Sequence, residues 1–265
     1  MNHISPYRTI VLQMLLLGLY PYWEGQVWAQ ESLQKSHGAI IRGDVSKKQL
    51  TLIFTGHEYA EGGEKILETL RSHKVPAAFF FTGDFYRNPS FASLIRTLIR
   101  DGHYLGAHSD KHLLYCDWED RSRLLVSRPV FEKDLMDNYA EMKNFGVSKE
   151  DAPYFLPPYE WYNDSISQWT SELGFQLINL THGTRSHADY THPGMPNYVD
   201  SDTILESIWD YEQKDPHGLN GFMLLVHIGA GPERLDKFYD RLPDVITVLR
   251  NKGYNWVALK ELIDK

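Results

Sequence analysis

The chain has 265 residues, of which 42% are hydrophobic and 13% aromatic, so it is long enough to bury one large core. This is an ordinary size for a single α/β domain. The formal net charge is −8, and the sequence contains no block of like charge. Because nucleic acids and anionic membranes attract basic surfaces, this balance argues against either as the main partner.

The first 29 residues have the layout of a signal peptide. Arg8 supplies a positive start, residues 10–19 form an apolar run, and Val27 and Ala29 mark a cleavage site. The apolar run is about half of the roughly 20 residues that a membrane span requires, so we expect no span in the mature protein. We therefore predict export to the periplasm or the extracellular space, with a polar lead-in at residues 30–47.

Residues 48–265 alternate short apolar runs with longer amphipathic ones, which predicts one catalytic domain. The apolar runs predict seven strands, at residues 50–54, 77–81, 104–107, 154–156, 176–180, 222–227 and 255–258. Helices are predicted at 64–73, 91–100, 131–145, 165–173, 203–211 and 235–252, the last interrupted near Pro243. Such alternation is typical of a parallel sheet, whose sites lie at the carboxyl ends of the strands.

Chemically reactive or ligand-binding residues follow five of these predicted strands. They are Thr55, His57 and Glu58 after the first strand, His108 and His112 after the third, residues 157–159 after the fourth, His182 and Asp189 after the fifth, and His227 at the end of the sixth. Because the carboxyl ends of parallel strands meet at one edge of the fold, we expect these residues to share one pocket.

His108 and His112 are four residues apart, with Asp110 between them, directly after a predicted strand. This separation lets both rings face one point if the segment coils into a helical turn, and neutral imidazole is the commonest protein metal ligand. Two His ligands and a carboxylate leave positions open for water and substrate, which favours a hydrolytic metal site. The alternative is that one His is exposed and the other fills a core position.

These motifs, in this order, resemble those of the polysaccharide deacetylases of carbohydrate esterase family 4, also called the NodB-homology domain. The segment from His108 to His112 is similar to the family's His-Ser/Thr-x-x-His metal motif, and Leu-Leu-Val-His ending at His227 is similar to its Leu-x-x-His motif. Phe-Leu-Pro-Pro-Tyr ending at Tyr159 resembles its Arg-Pro-Pro-Tyr segment. Further matches to the family's first helix and second strand are Lys65, Ile66 and Leu67, followed by residues 75–80.

The resemblance implies a distorted (β/α) barrel of about seven parallel strands that removes acetyl groups from a carbohydrate polymer or oligosaccharide. It also implies one divalent metal ion on His108 and His112, with zinc favoured over cobalt or nickel. In that scheme His227 is the catalytic acid, and the backbone N–H of Tyr159 helps to hold the oxyanion.

The first motif departs from the family. Counted back without a gap from Lys65, the family's Thr-Phe-Asp-Asp-Gly falls on residues 53–57, where Thr55 and Gly56 replace the two aspartates. In the family the first Asp is the general base and the second completes the metal site. The Arg that orients the base is Leu156 here, so the usual mechanism lacks both the base and its partner.

Glu58 or His57 could restore a third metal ligand, because both follow the first strand closely. Adjacent residues of an extended chain point to opposite sides, so we expect only one of them to reach the metal. We favour Glu58, because a carboxylate suits a hydrolytic metal slightly better. The alternative ligand is His57, and a polar loop without any ligand is a further alternative.

Asp189 is expected to pair with His227 and to favour the imidazolium form that a proton donor needs. The alternative is a solvated loop carboxylate.

Aromatic residues cluster around the same motifs. They are Tyr154, Tyr159, Trp161 and Tyr162 around the Pro-Pro turn, and Tyr115 and Trp118 after His112. Flat rings suit the apolar faces of sugars, so we predict that Trp161, Tyr162 and Pro158 contact a glycan. For any one ring, the alternative is a place in the core.

Two functions remain open from the sequence. The first is an exported metal-dependent deacetylase of an acetylated polysaccharide or oligosaccharide, and the second is a catalytically reduced, glycan-binding member of the same fold. Retention of His108, His112 and His227 favours the enzyme, because a binding module needs no placed acid. The absence of an Asp at Thr55 favours the binding module. The sequence leaves the glycan, the bond cleaved, the metal and the oligomeric state open.

Overall fold

The computed structural model describes residues 33–264 together with Met1, so the predicted signal peptide lies, apart from Met1, outside the described residues. The chain opens with an antiparallel hairpin of β1 (Gln34–Ser36) and β2 (Ala39–Arg42). Ala39 and Ile40 of β2 are buried. Part of the segment predicted to be a polar lead-in therefore belongs to the folded domain.

The seven predicted strands are all present in one sheet. They are β3 (Gln49–Gly56), β4 (Ala77–Phe81), β5 (Tyr104–Ala107), β6 (Tyr154–Phe155), β7 (Gln176–Leu177), β8 (Phe222–His227) and β9 (Asn255–Trp256). The order is β7-β6-β5-β4-β3-β8, with β9 also paired to β3, and every one of these pairs is parallel. The predicted α/β fold is confirmed.

The chain after β7 closes the curled sheet into a distorted barrel. Ile178 forms a bridge with Ile40 of β2, and the backbone N–H of Thr181 donates to the Met223 carbonyl of β8 at 3.1 Å. The Thr181 hydroxyl donates to the Ile41 carbonyl and accepts the N–H of Met223 at 3.0 Å. Because residues 178–181 bond to β2 and β8, β7 is shorter than the predicted strand at 176–180.

Side chains alternate along the strands between the barrel interior and the helix layer, as a period of two requires. Along β8, Met223 and Leu225 belong to the interior cluster, whereas Leu224 faces the helices. The same interior cluster includes Ile53, Ala78, Phe80, Leu156, Ile178 and Leu180. His227 continues the inward side of β8, and His108 continues that of β5, so the alternation directs both imidazoles to the carboxyl end of the barrel.

Helices cover the outside of the sheet. They are α1 (Gly63–His73), α2 (Gly83–Arg87), α3 (Ala92–Arg100), α4 (Arg128–Lys143), α5 (Asp164–Glu172), α6 (Ser201–Lys214), α7 (Leu242–Asn251) and α8 (Leu259–Ile263). The prediction that a helix begins at Leu235 is wrong. The helix begins at Leu242 with Pro243 in its first turn, where a missing N–H costs no hydrogen bond, and Leu235 is 88% exposed.

Over the part of the chain that the structure describes, none of the helices is both long and apolar enough to cross a membrane.

Thr181→Val should destabilise the protein, because it leaves the Ile41 carbonyl and the Met223 N–H without their hydroxyl partner at the barrel closure. We expect a loss of about 1–3 kcal/mol in the free energy of unfolding, measured by urea denaturation. The control is Thr247→Val on α7, whose exposed hydroxyl donates to the Pro243 carbonyl at 2.8 Å. That change should stay within about 0.5 kcal/mol, and equal losses in the two variants would contradict a special role for the closure.

Candidate active site

A cavity of about 730 Å³ opens at the carboxyl end of the barrel. Its lining includes Thr55, His57, His108, His112, Tyr159, Glu160, His187 and His227. The structure thus brings together most of the residues that were expected to share one pocket. Of the expected residues, Pro157, Pro158, His182 and Asp189 are not part of this lining, and Asp189 is connected to it through His227.

His108 is buried, and its Nδ1 lies 2.8 Å from the Leu156 carbonyl. Because a carbonyl can only accept, Nδ1 carries the proton and Nε2 keeps the lone pair that a metal needs. The His112 ring centroid lies 5.1 Å from that of His108. Ser109 and His112 have positive φ values of 69° and 55°, so the segment makes a sharp turn rather than the predicted helical one.

Burial lowers the pKa of His108 to about 3 and that of His112 to about 2, with neighbouring imidazoles adding to the effect. For His108, the hydrogen bond to Leu156 opposes part of the shift. Both rings are therefore neutral at neutral pH, which is the form that binds a metal ion.

The donor chemistry of His108 and His112 fits a divalent ion, but a third ligand is not assembled. Within residues 33–264, no group of three His, Cys, Asp or Glu side chains is arranged to hold a metal ion. Glu58 is exposed at the cavity edge, whereas the His57 ring stacks on His112 with 4.8 Å between centroids. The inward side of β3 continues through Thr55 to His57, which turns Glu58 away. The choice of third ligand stays a prediction.

His227 and Asp189 form a tightly held pair. Nδ1 of His227 lies 2.6 Å from Oδ1 of Asp189, and the backbone N–H of His227 donates to Oδ2 at 2.9 Å. Burial acts to lower the pKa of His227, but the charge and hydrogen bond of Asp189, together with the charge of Glu160, outweigh it and raise the pKa. The pair occupies Nδ1 and leaves Nε2 as the nitrogen for proton exchange.

The two positions that replace the family's aspartates are both buried. The Thr55 hydroxyl has no hydrogen-bond partner among the described residues. At Gly56, an added Cβ would lie 2.8 Å from Ile228, 2.9 Å from Phe81 and 3.0 Å from Phe85. Gly56 therefore has no room for any side chain, and a carboxylate there would point into the helix layer.

Four exposed aromatic rings border the cavity, those of Tyr59, Trp118, Tyr159 and Tyr190. Tyr159 is 44% exposed and Trp118 is 55% exposed, and their centroids lie 5.6 Å apart. The Tyr159 ring also lies 4.4 Å from that of His112. Trp161 is half-buried beside Trp118, and its indole N–H donates to the Asp117 carbonyl at 3.0 Å.

The expected role of Tyr162 in substrate contact needs correction. Its ring is only 2% exposed and packs in the core, where its hydroxyl donates to the Ser36 carbonyl at 3.0 Å. Pro158 is buried as well, and Tyr154 and Tyr115 lie in the core. Of the six aromatic residues around these motifs in the sequence, Trp118 and Tyr159 are exposed and Trp161 is half-buried.

Glu160 directly follows the Pro-Pro-Tyr segment and lines the cavity, and it is not among the residues predicted from the sequence. The same holds for His187 and His192, which border the cavity on the loop around Asp189. These residues lie in loops, where the sequence has no alternation of apolar and polar residues from which their orientation could be predicted. Only the proximity of Glu160 to the Pro-Pro-Tyr segment could have indicated its position.

The model of the polysaccharide deacetylase family matches residues 42–178, just over half of the chain. This chain belongs to the polysaccharide deacetylase family. A peptidoglycan-N-acetylglucosamine deacetylase of Bacillus cereus is 26% identical to it over 200 residues, which cover 75% of this chain and 80% of that protein.

Solved structures share the fold of this family member. A pseudoenzyme of carbohydrate esterase family 4 from Bacillus anthracis gives a TM-score of 0.66 at 19% identity, covering 87% of this chain and 70% of that one. A mutant of that pseudoenzyme with restored enzymatic activity gives the same TM-score of 0.66. A family 4 acetyl xylan esterase from Clostridium thermocellum, in complex with a cobalt ion, gives 0.61 at 19% identity, covering 81% of this chain and 89% of that one.

Gly56→Ala should destabilise the domain by about 1–3 kcal/mol, because the new methyl group has no space between its neighbours. Thr55→Val at the adjacent position is the matched comparison. Its hydroxyl has no partner to lose, so we expect a change within about 0.5 kcal/mol. Thermal denaturation of both variants measures the difference. A Gly56→Ala protein as stable as wild type would show that the space around Gly56 can accept a methyl group.

Proposed function

We propose that the protein is an exported deacetylase that hydrolyses acetyl groups on a glycan of the peptidoglycan or chitooligosaccharide type. The observation that carries the proposal is the His227–Asp189 pair, whose imidazole lines the same cavity as His108 and His112. A placed proton donor in one cavity with two neutral imidazoles suits acyl hydrolysis, and simple sugar binding does not require it. The name of the Bacillus cereus relative supports the substrate class.

In this mechanism Asp189 holds Nδ1 of His227, and Nε2 gives its proton to the leaving nitrogen or oxygen of the sugar. The backbone N–H of Tyr159 is assigned to the oxyanion, as the family resemblance implies. A divalent ion, when bound by His108 and His112, would polarise the acyl carbonyl as a Lewis acid. Zinc is the first candidate, and cobalt is supported by the Clostridium thermocellum relative.

Export rests on residues 1–29. A peptidoglycan substrate would lie outside the cytoplasm, which agrees with the apolar run and cleavage site in that segment. The export prediction and the substrate proposal support each other.

The double change His108→Ala with His112→Ala should abolish stoichiometric metal binding, because it removes both imidazole donors. Metal content after loading with zinc, cobalt or nickel is measured by mass spectrometry. His217→Ala, an exposed imidazole outside the cavity, is the control and should bind as wild type does. Since His108 is buried, circular dichroism must show that the double variant is folded. A folded double variant with full metal content would refute the assignment.

His227→Ala should lower kcat by about 10²–10⁴-fold while KM and metal content change little, because only the proton donor is lost. Asp189→Asn should lower kcat as well, since it removes the charge that stabilises the imidazolium. Acetate release from peptidoglycan, chitin oligomers and acetylated xylan is measured with each metal. Asp164→Asn, an exposed carboxylate beside His37, serves as the control and should keep wild-type activity.

A glycan-binding role without catalysis is the second candidate. It is favoured because Thr55, Gly56 and Leu156 stand where the family has two aspartates and an arginine. The likeness in fold to a pseudoenzyme also supports it. The exposed rings of Trp118 and Tyr159 would serve binding in either case. Calorimetric binding of the same glycans by wild type, together with no acetate release under any of the metals, would favour this candidate over the enzyme.

A further inference from the structure

The carboxylates that line the cavity are those of Glu58, Glu160 and Glu233. Glu58 is exposed, and Glu233 is paired with His192. Two further carboxylates near the cavity are engaged as well, Asp189 by His227 and Asp110 by Arg87. The Glu160 carboxylate lines the cavity, and within residues 33–264 it takes part in no hydrogen bond or ion pair. A half-buried carboxylate without a partner in a reactive cavity is available for proton transfer.

The backbone around Glu160 is held in a conformation that few residues other than glycine adopt. Tyr159 and Glu160 have φ values of 59° and 53°. The Glu160 N–H donates to the Pro157 carbonyl at 3.1 Å, and the Glu160 carbonyl accepts from the buried Asn179 amide at 2.8 Å. These bonds maintain a costly conformation, which is typical of positions where a side chain is set for function.

The electrostatics around Glu160 suit a base. Burial raises the pKa of the Glu160 carboxyl to about 7, with the charge of His227 opposing the shift and that of Asp189 adding to it. A base is most effective when its pKa lies near the working pH, because it is then often ionised and still takes a proton readily. Glu160 and His227 line the same cavity, and the charge of each shifts the pKa of the other.

We propose that Glu160 is the general base of the deacetylation, in the role that the aspartate missing at Thr55 would have had. The inference rests on the proposed function above. Glu160 takes a proton from a water molecule while the water oxygen forms a bond to the acyl carbon. His227 then gives its Nε2 proton to the leaving nitrogen or oxygen as the carbon–nitrogen or carbon–oxygen bond breaks. The products are acetic acid and the free sugar amine or hydroxyl, and the proton on Glu160 returns to His227 through solvent.

The test uses the full chain loaded with the metal that supports most activity. Glu160→Gln keeps the shape of the side chain and removes the base, so kcat should fall by about 10²–10⁴-fold with KM and metal content unchanged. Glu233→Gln is the matched control, because it is a carboxylate on the same cavity edge that the mechanism does not use. It should retain wild-type kcat.

A rescue experiment separates a base from a structural residue. Glu160→Ala leaves space for a small carboxylate, so added formate should restore part of the lost kcat, whereas His227→Ala should gain nothing from formate. Near-UV circular dichroism checks that each variant is folded. A base role for Glu160 is overturned by wild-type kcat in Glu160→Gln, by loss of metal from that variant, or by folded Glu160→Ala that formate does not rescue.

The outcome for wild type distinguishes the two proposals. Wild-type protein that releases no acetate from any of the three glycans overturns the proposed function and the role of Glu160 with it. Active wild type together with equally active Glu160→Gln overturns the role of Glu160 alone.

Discussion

The strict alternation of side chains along the parallel strands is the constraint on which the rest of the site depends. Because every second residue faces the barrel, Thr55 and His57 extend the inward side of β3, His108 extends that of β5, and His227 ends that of β8. A one-residue slip in any strand would move its imidazole into the helix layer. The cavity lining therefore depends on the register of the parallel strands, and the hydrogen bonds of Thr181 at the barrel closure help to fix that register.

Much of the fold and half of the site were predictable because they follow from local patterns. Apolar runs marked the strands. His108 directly follows β5, His112 lies five residues beyond the end of β5, and His227 is the last residue of β8, so the direction of the strands places all three. Tyr162 could not be assigned in the same way. Its ring looks equivalent to that of Tyr159 in the sequence, and only tertiary packing decides that one is buried and the other exposed.

Residues in loops were the harder part. The preference for Glu58 over His57 rested on ligand chemistry, whereas the structure continues the strand alternation past Gly56 and turns His57 inward. Glu160 was missed because its position depends on positive φ values at two successive residues, which no propensity indicates for Tyr and Glu. The orientation of loop side chains and the positions of strained backbone depend on packing across the whole fold.

The crowding at Gly56 also limits which substitutions the domain can accept at this position. The space that a side chain would need is filled by Ile228, Phe81 and Phe85, which belong to the layer between sheet and helices. A single change from Gly56 to a larger residue would therefore cost folding stability, whatever the new side chain could do in the cavity. A side chain at this position would require smaller neighbours at the same time, so a carboxylate is accommodated more readily at a position that already faces the cavity.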